Sequence, residues 1–187
     1  MRVGIVSDIH GQADSLREAI AAMGRIDRLV CLGDAIHQAA FCNETIGLLR
    51  QHDALSIVGN HEEAFFAGPG RGRAHVDAAL ADWLSRHPSR METMLGDLRA
   101  LVVHSTPWPS DHAYVPQAHR DFHRFAVPGF HVVLYGHTHQ PLVCRLRDTL
   151  VINPGSVGEG RPTLQGFVRS CALLDTDAHS AEIIDLD

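Results

Sequence analysis

The sequence predicts an α/β protein in which parallel strands come first and antiparallel hairpins follow. Strand-like and helix-like segments alternate through the first third of the chain, and paired apolar runs fill the second half. The hydrophobic content of 45% and charged content of 20% are ordinary for a globular protein. A length of 187 residues suits one domain, which we expect to span residues 1–187.

The first third of the chain predicts the order β-α-β-α-β. We expect strands at RVGIVS, RLVCLG and LSIVG. Helices are expected at ADSLREAIAAM, where Gly24 stands in the position of a C-cap, and at NETIGLLRQH. This alternation favours parallel strands joined by right-handed crossovers.

The second half predicts three hairpins. The paired runs are METML with LRALVVH, PLVCRL with TLVIN, and GFVRSCALLDT with SAEIIDL. A single apolar run, HVVLY, lies between the first two pairs. Residues 62 to 88 have a helical pattern in two pieces, interrupted by GPGRGR. That segment predicts either a lid over a site or two surface helices joined by a turn.

Charge and composition exclude several partners. The net charge is −6, and all 16 basic residues are arginines, so we expect no non-specific binding to nucleic acid. A small phosphorylated substrate remains compatible with this charge. No apolar stretch is long enough to span a bilayer and the start lacks a signal segment, which predicts a cytoplasmic protein without a membrane partner. The four scattered cysteines predict free thiols, and the oligomeric state is left open.

Five apolar runs each end in side chains that can bind a metal. These side chains are Asp8, His10, Asp34, Asn60, His61, His104, His137 and His139. Residues at i and i+2 of an extended segment lie on one face, so His137 and His139 can converge. Because ligands gather at the carboxyl ends of strands in α/β sheets, we expect the whole set to converge as well.

The chemistry of this set favours divalent ions. Carboxylates, imidazoles and one carboxamide, without thiolates, suit manganese, iron, cobalt or zinc. Eight polar groups exceed the needs of one structural zinc, whereas two ions about 3.5–4 Å apart would use them and need one bridging carboxylate. Turn formation is the simpler explanation for each residue alone. The glycines at 11, 33, 59 and 136, beside the candidate ligands, would allow the close turns that convergence needs.

The motifs, in this order, resemble one known family. They are SDIHG, GD at 33–34, GNHE at 59–62, VVHS at 102–105 and YGHTH at 135–139, with INPGS at 152–156 as a weaker mark. The sequence is similar to the calcineurin-like metallophosphoesterases, especially their small bacterial and archaeal phosphodiesterase members. The motifs run from residue 7 to 156, so the resemblance covers most of the chain.

The resemblance implies a fold and a metal centre. The fold is a four-layer α-β-β-α sandwich with two mixed sheets. Its loops would hold two divalent ions, with manganese favoured and iron, zinc, cobalt or nickel as alternatives. One metal would be bound by Asp8, His10, Asp34 and His139. The other would be bound by Asp34, Asn60, His104 and His137, so Asp34 would bridge the two ions.

The resemblance also implies an activity. The expected reaction is hydrolysis of a phosphate ester, with a diester favoured, by attack of a metal-bridging hydroxide. Phosphomonoesterase, protein phosphatase and dinucleoside polyphosphate hydrolase are alternatives, and a non-enzymatic scaffold of the same fold is a distant one. His61 would be the catalytic residue, protonating the leaving oxygen or stabilising phosphoryl charge. Many members carry an acid that orients this histidine, but His37 stands at that position here.

Other residues receive simpler interpretations. Glu62 and Glu63 are expected to be helix-starting charges, and His112 a solvated loop histidine. Trp108, close to His104 in the chain, is the better of the two tryptophans for the rim of a pocket. Arg161 is either a phosphate contact or an ordinary surface arginine.

Overall fold

Two β-sheets packed face to face form the centre of the molecule. The structure, a computed structural model, describes residues 1–68, 75–164 and 166–186. The strands are β1 (Arg2–Val6), β2 (Arg28–Cys31), β3 (Leu55–Ser56), β4 (Arg90–Leu95), β5 (Leu98–Val103), β6 (Val132–Leu134), β7 (Leu142–Leu146), β8 (Thr149–Asn153), β9 (Arg161–Thr163), β10 (Gly166–Asp175) and β11 (Ser180–Leu186). The helices are α1 (Ala13–Met23), α2 (Asn43–Gln51), α3 (Asn60–Ala67) and α4 (Ala78–Ser85), with a 3₁₀ helix at Phe122–Phe125.

The first sheet has the order β11-β10-β1-β2-β3, and β9 pairs with the exposed end of β10. β1, β2 and β3 are parallel, as the alternating pattern predicts, whereas β10 and β11 run antiparallel beside β1. The sheet is therefore mixed. β3 has only two residues, since the chain reaches Gly59 soon afterwards and turns into α3.

The second sheet has the order β4-β5-β6-β8-β7. β5, β6 and β8 are parallel, and the predicted hairpins β4–β5 and β7–β8 form its two antiparallel edges. Each sheet thus contains three neighbouring parallel strands. This arrangement matters for the site because the carboxyl ends of parallel strands share one edge of a sheet.

Three apolar cores hold the layers together. The inner faces of the two sheets enclose one core, to which Ile5 and Val30 of the first sheet and Val102 and Leu134 of the second contribute. The outer face of the first sheet packs against the four helices. Burial of these faces is the main favourable term in folding, at about 25 cal/mol per Å² of apolar surface.

The outer face of the second sheet is covered differently. Its Val133 and Tyr135 pack against Phe122 and Phe125 of the 3₁₀ helix and against Val115 of the preceding loop. The predicted fold class, with two mixed sheets between outer layers, is confirmed. The last layer consists here of a long loop with a 3₁₀ helix rather than of α-helices, because the segment between β5 and β6 contains four prolines.

The helical segment predicted over 62–88 corresponds to α3 and α4. α4 buries Ala81 and Leu84 in the core of the helical layer, so this part of the segment is a packed surface helix. Most of the interrupting GPGRGR lies outside the described residues, and a lid there stays a prediction. In the described part of the chain, no helix has the length and apolar character needed to cross a membrane.

Candidate metal centre

The carboxyl ends of the parallel strands meet at one edge of the sandwich. Among the described residues, three groups of side chains place metal-binding atoms within 4.8 Å of one another. The groups are Asp8 with His10 and His139, His10 with Asp34 and His61, and Asp34 with His104 and His137. Every aspartate and histidine predicted for the site is therefore brought together. Asn60 joins them, with its Oδ1 3.0 Å from His104 Nε2.

The two aspartates are held in the same manner. Asp8 Oδ2 accepts the backbone N–H of His137 at 2.9 Å, and Asp34 Oδ1 accepts the backbone N–H of His61 at 2.9 Å. In each carboxylate, one oxygen is hydrogen-bonded to a neighbouring loop and the other faces the site. The bond from His137 to Asp8 also joins the two sheets.

Backbone carbonyls fix which nitrogen two of the histidines present. His104 Nδ1 lies 2.8 Å from Leu32 O, and His137 Nε2 lies 2.7 Å from His112 O. A carbonyl can only accept, so these nitrogens carry protons. In the neutral rings, the lone pairs of His104 Nε2 and His137 Nδ1 therefore face the site, which is the orientation that metal binding requires.

The convergence leaves more lone pairs than protons. Asp34 Oδ2 and His137 Nδ1 each lie 3.2 Å from His104 Nε2, which also faces Asn60 Oδ1. One proton on His104 Nε2 cannot bond to all three partners. His139 Nε2 lies 3.3 Å from both Asp8 Oδ1 and His10 Nε2, so it cannot bond well to both, and buried His10 Nδ1 has no hydrogen-bond partner among the described residues. Because an unpaired buried polar atom is costly, this donor set fits a divalent cation.

Most of the converging residues have an unusual backbone. The φ angle is between 50° and 64° at Asp8, His10, Asp34, His137 and His139. Residues other than glycine seldom adopt this left-handed region, although Asn, Asp and His do so more often than most. Such conformations cost about 1–3 kcal/mol each and cluster at functional sites. The rest of the fold must therefore stabilise these turns.

Two glycines let the loops approach each other. A Cβ at Gly59 would collide with Asp34 Oδ1, and a Cβ at Gly136 would collide with Ser7 Oγ and approach Asp8 Oδ2 to 2.8 Å. Any side chain at these positions would displace a carboxylate. The expectation that glycines 59 and 136 permit close turns is confirmed.

Charge is concentrated in the Asp34–His104 pair. Burial opposes ionisation of Asp34, but the hydrogen bond and charge of His104 outweigh it and lower the pKa of Asp34 to about 2. Burial would lower the pKa of His104, yet the bond to Asp34 and the charge of Asp8 raise it to about 9. In the metal-free chain, His104 is therefore protonated at neutral pH, and a metal must displace that proton.

The other imidazoles behave differently. Burial, together with the positive charge of His104, lowers the pKa of His137 to about 4, and burial also lowers the pKa of His10. Both rings are therefore neutral at pH 7. The pKa of Asp8 is lowered despite its burial, because His139 and His104 lie beside it. Conversely, the carboxylate of Asp8 raises the pKa of His139 against the effect of burial.

Glu62 has a structural role that the sequence analysis missed. It begins α3, as predicted, but its side chain is fully buried. The carboxylate accepts the backbone N–H groups of Asp34 at 2.8 Å, Ile36 at 3.0 Å and Gly59 at 2.7 Å. Burial and the charge of Asp34 raise the pKa of Glu62 to about 7. Glu62 thus joins the loops that carry Asp34 and Asn60, and its place in GNHE is the signal that could have revealed this.

His61 is oriented by the backbone. Its Nδ1 accepts the N–H of Gln38 at 3.2 Å, and its ring lies edge-on to His37 at 5.2 Å between centroids. The lone pair of Nδ1 is therefore occupied, and Nε2 carries the proton of the neutral ring. Nε2 faces Asp34 Oδ2 at 3.9 Å. The group that replaces the missing acid is a main-chain amide, which the sequence could not reveal.

The INPGS segment supports the histidine loop. Asn153, the last residue of β8, donates to Gly136 O at 2.8 Å and to Thr138 Oγ1 at 3.0 Å. Ser156 Oγ donates to Asp8 O at 2.7 Å. Both side chains are buried and hold loops that carry candidate ligands. β8 and the residues that follow it therefore contribute positioning groups.

A segment after β5 reaches across the site. His112, interpreted from sequence as a solvated loop residue, instead contacts Glu63 Oε2 through its Nε2 at 2.9 Å while its carbonyl binds His137. Tyr114 stacks on the His137 ring at 4.1 Å between centroids although it is 63% exposed. Glu63 is thus more than a helix-starting charge. No sequence pattern signals the contact of Tyr114.

Two further interpretations are decided by contacts. Arg161 forms a salt bridge with Asp185 through Nη2 at 2.8 Å, which favours its interpretation as a surface arginine. Trp108 lines a groove that also contacts His104, as predicted for the rim of a pocket. The four cysteines are free thiols, as predicted.

The family comparison covers nearly the whole chain. A model of the calcineurin-like phosphoesterase superfamily domain matches residues 1–179. An uncharacterized protein of Methanocaldococcus jannaschii is 24% identical over 223 aligned positions, which cover 99% of this chain and 87% of that protein.

Solved structures of similar fold include a metallophosphoesterase from Sphaerobacter thermophilus. It is 24% identical, with a TM-score of 0.79 and coverage of 100% of this chain and 88% of that chain. A structure described as a novel archaeal phosphodiesterase is 22% identical, with a TM-score of 0.64 and full coverage of both chains. A putative diadenosine tetraphosphatase is 18% identical, with a TM-score of 0.64 and coverage of 100% and 94%.

Proposed function

Because this chain belongs to the calcineurin-like phosphoesterase superfamily, we propose that it is a phosphodiesterase that works with two divalent metal ions, manganese being favoured. The observation that carries the proposal is the convergence of unprotonated oxygen and nitrogen atoms around His104 Nε2, for which the chain supplies too few protons. The archaeal phosphodiesterase among the similar structures supports the choice of a diester.

We assign the ligands as the family motifs suggest. Asp8, His10 and His139 would hold one ion, and Asn60, His104 and His137 the other. Asp34 would bridge them, which agrees with its place in two of the three groups of converging side chains. Such ions supply Lewis acidity that activates a water and neutralises phosphoryl oxygens.

The residues of the chain do the positioning. Asp8 and Asp34 keep one oxygen each on a backbone N–H, so their remaining oxygens have fixed directions. Leu32 O and His112 O hold the rings of His104 and His137 with the correct nitrogen inward. Preorganised groups of this kind need not reorganise when charge develops in the transition state.

We propose that His61 stabilises phosphoryl charge. Its Nδ1 accepts the Gln38 N–H, so the neutral ring can donate a hydrogen bond only through Nε2–H, which faces the site. A protonated ring would place two N–H groups against each other at Nδ1. Of the two roles expected for this residue, a hydrogen bond to a phosphoryl oxygen therefore fits better than transfer of a proton to the leaving group.

The alternatives differ in substrate or in the absence of catalysis. A scaffold would not need the expected ligands, yet all seven lie at the site. Monoesters, phosphoproteins and dinucleoside polyphosphates share the same reacting group. These substrates differ in the groups attached to the reacting phosphate. Such groups would contact the surface beside the metals, where Glu63 and Asp111 are acidic.

The test combines metal content with a substrate panel. Chain reconstituted with manganese should contain two ions per molecule by elemental analysis and should hydrolyse bis(p-nitrophenyl) phosphate faster than p-nitrophenyl phosphate. One ion or none, with all seven side chains intact, would reject the two-metal assignment. A faster reaction with the monoester would reject the diester preference.

A further inference from the structure

A groove opens beside the candidate metal centre. It lies between the start of α3 and the segment that follows β5, with a volume of about 370 Å³. This is within the range of small-molecule sites, about 300–1,000 Å³. His104 forms part of its wall, so the groove borders the proposed reaction centre.

The walls of the groove are largely apolar. Val58 and Val103 come from the ends of the two sheets, and Pro107, Trp108 and Pro109 come from the loop. Trp108 makes an edge contact with Phe125, and the guanidinium of Arg124 covers one face of its indole, with Cζ 4.1 Å from the ring centroid, so one face is left for a ligand. Proline and indole faces offer flat surfaces on which a ring can stack.

The loop that builds the groove is fixed by its own hydrogen bonds. Ser105 Oγ donates to Ala113 O at 2.7 Å, and Arg90 Nη1 donates to Pro107 O at 2.9 Å. These bonds join the two ends of the loop and tie it to β4. The groove is therefore formed before any ligand arrives, which reduces the entropy cost of binding.

The charges of the groove disfavour an anion. Arg90 is committed to Pro107 O and to Glu92 Oε1, at 3.4 Å. The carboxylates of Glu63 and Asp111 also line the groove, and Glu63 Oε2 lies 2.9 Å from His112 Nε2. An additional phosphate or carboxylate in the groove would meet these acids, whereas an uncharged ring would not.

His61 does not line the groove. The ring of His61 contacts those of His10 and His37, at 4.6 and 5.2 Å, whereas the groove begins at His104. A group in the groove is therefore separate from the phosphoryl oxygen that faces His61. One substrate centred on the metals can therefore place its phosphoryl oxygen at His61 and an ester group in the groove.

From this geometry we propose that the groove binds the uncharged, ring-bearing ester group of a phosphodiester, of nucleoside size, that stays on the phosphate when the other ester bond is cleaved. The inference rests on the proposed phosphodiesterase function and adds the substrate class. It distinguishes a diester with a neutral ring from a dinucleoside polyphosphate, whose further phosphates would meet the carboxylates of Glu63 and Asp111 in the groove.

Two diesters with one leaving group test the proposal. Thymidine 5′-(p-nitrophenyl) phosphate carries a ring on the retained ester, and methyl p-nitrophenyl phosphate does not. With manganese-loaded full chain, we expect kcat/KM to be about tenfold higher for the thymidine ester, as expected from one stacked ring. A ratio near one would overturn the proposal, while hydrolysis of neither ester would instead reject the proposed function.

Two variants locate the preference. Trp108→Ala removes the stacking surface, and Ser89→Phe fills the groove from an exposed position outside the cores. Each should reduce the ratio of the two kcat/KM values to near one. The matched control is Asp148→Asn, in the turn between β7 and β8, which should leave the ratio unchanged. An unchanged ratio in both groove variants would overturn the proposal.

A charged ring tests whether Glu63 and Asp111 disfavour anions in the groove. Phenyl p-nitrophenyl phosphate and its 4-carboxyphenyl analogue differ by one carboxylate, and we expect the charged ester to react at least about fivefold less efficiently. Asp111→Asn should recover part of this loss, and Asp148→Asn should not. Equal reaction of the two esters would show that the groove does not select for an uncharged group.

Binding without turnover separates this inference from the proposed function. Thymidine 5′-methyl phosphate lacks a good leaving group, so calorimetry can follow its binding to the unreacted chain. We expect the ligand to bind wild-type chain about tenfold more tightly than the Ser89→Phe variant. Equal affinity would overturn the groove assignment even if the chain hydrolyses diesters.

Discussion

The two sheets bring different chemistry to the same edge of the sandwich. Loops of the first sheet supply both aspartates, the asparagine and His10, whereas loops of the second supply imidazoles alone. Two of the three groups of converging side chains mix residues of both sheets. Neither sheet has a complete site, so the site exists only where the sheets pack together.

The difference shows where the negative charge of the site resides. Burial opposes ionisation of Asp8 and Asp34 on the first sheet, and the charge of Asp34 also opposes ionisation of Asp8. In the metal-free chain, His104 on the second sheet compensates both carboxylates. Divalent ions would take over this compensation. Replacement of a carboxylate should therefore cost more than replacement of an imidazole, and the following experiments test that order.

The largest effect is expected from Asp34→Asn. The substitution keeps the shape and tolerates the positive φ, but it removes the charge shared by the proposed ions, so kcat should fall by about 10³-fold or more. His139→Asn, on the second sheet, should cost less. Manganese content and hydrolysis of bis(p-nitrophenyl) phosphate measure both. Unchanged turnover of manganese-saturated Asp34→Asn would show that Asp34 is not the bridge.

The next effect concerns His61. His61→Ala should lower kcat by about 10²–10³-fold and keep both metals, since the ring donates a hydrogen bond but is not assigned as a ligand. The loss should be similar for acidic and basic leaving groups. A loss that shrinks for p-nitrophenol esters would indicate proton transfer instead, and loss of an ion would make His61 a ligand.

His37→Ala is the companion variant. Because the Gln38 N–H orients His61, removal of the His37 side chain should change kcat by less than about threefold. His52→Ala, an exposed histidine after α2, serves as the control. A large loss in His37→Ala alone would show that His37 replaces the missing acid.

A moderate effect on stability is expected from Glu62→Gln. The buried carboxylate accepts three backbone N–H groups, and an amide cannot satisfy all of them, so unfolding free energy should fall by about 1–3 kcal/mol. Tm should fall by about 2–12 °C. Glu63→Gln, the adjacent and more exposed residue, should change stability by at most about 1 kcal/mol. Equal changes in the two variants would contradict this role of Glu62.

The smallest effect is a pH dependence of the metal-free chain. The pKa of His104 is raised from 6.5 to about 9, so its contribution to stability is present below pH 6.5 and is lost as the pH rises through 9. The pKa of Glu62 is raised from 4.5 to about 7, so stability also falls as the pH rises between these values.

The lowered pKa values of His10 and His137 act in the opposite direction below pH 6.5, so thermal unfolding in a chelator should show Tm decreasing from pH 7 to pH 9. The stabilisation by added manganese should increase over the same range, since binding must displace the proton of His104. A metal-free Tm that rises between pH 7 and 9 would contradict the charge assignment of the Asp34–His104 pair.

Most of the secondary structure was predictable because each element has a clear local pattern. α1 begins and ends at the residues expected from ADSLREAIAAM and Gly24, and the three hairpins pair as predicted. β9 was not anticipated, since its three residues include a proline and carry no alternation. The 3₁₀ helix was missed for a similar reason: its stability comes from packing Phe122 and Phe125 on the second sheet.

The sequence by itself determined which residues could form a metal site. Polar side chains directly after apolar strands are a local signal, and parallel strands bring such positions to one edge, so the candidate ligands and the family could be inferred from motifs alone. The resemblance carried by these motifs also implied the two mixed sheets.

Only the tertiary structure decided how those residues are held. Three contacts show this: the Gln38 amide with His61, the Glu62 carboxylate with Asp34, and the His112 carbonyl with His137. Each joins residues that are 23 to 28 positions apart in the chain, and the group that holds the loop belongs to the backbone in two of the three. A backbone group has the same chemistry at every position. Its role depends on where folding places it, which no local pattern of side chains can specify.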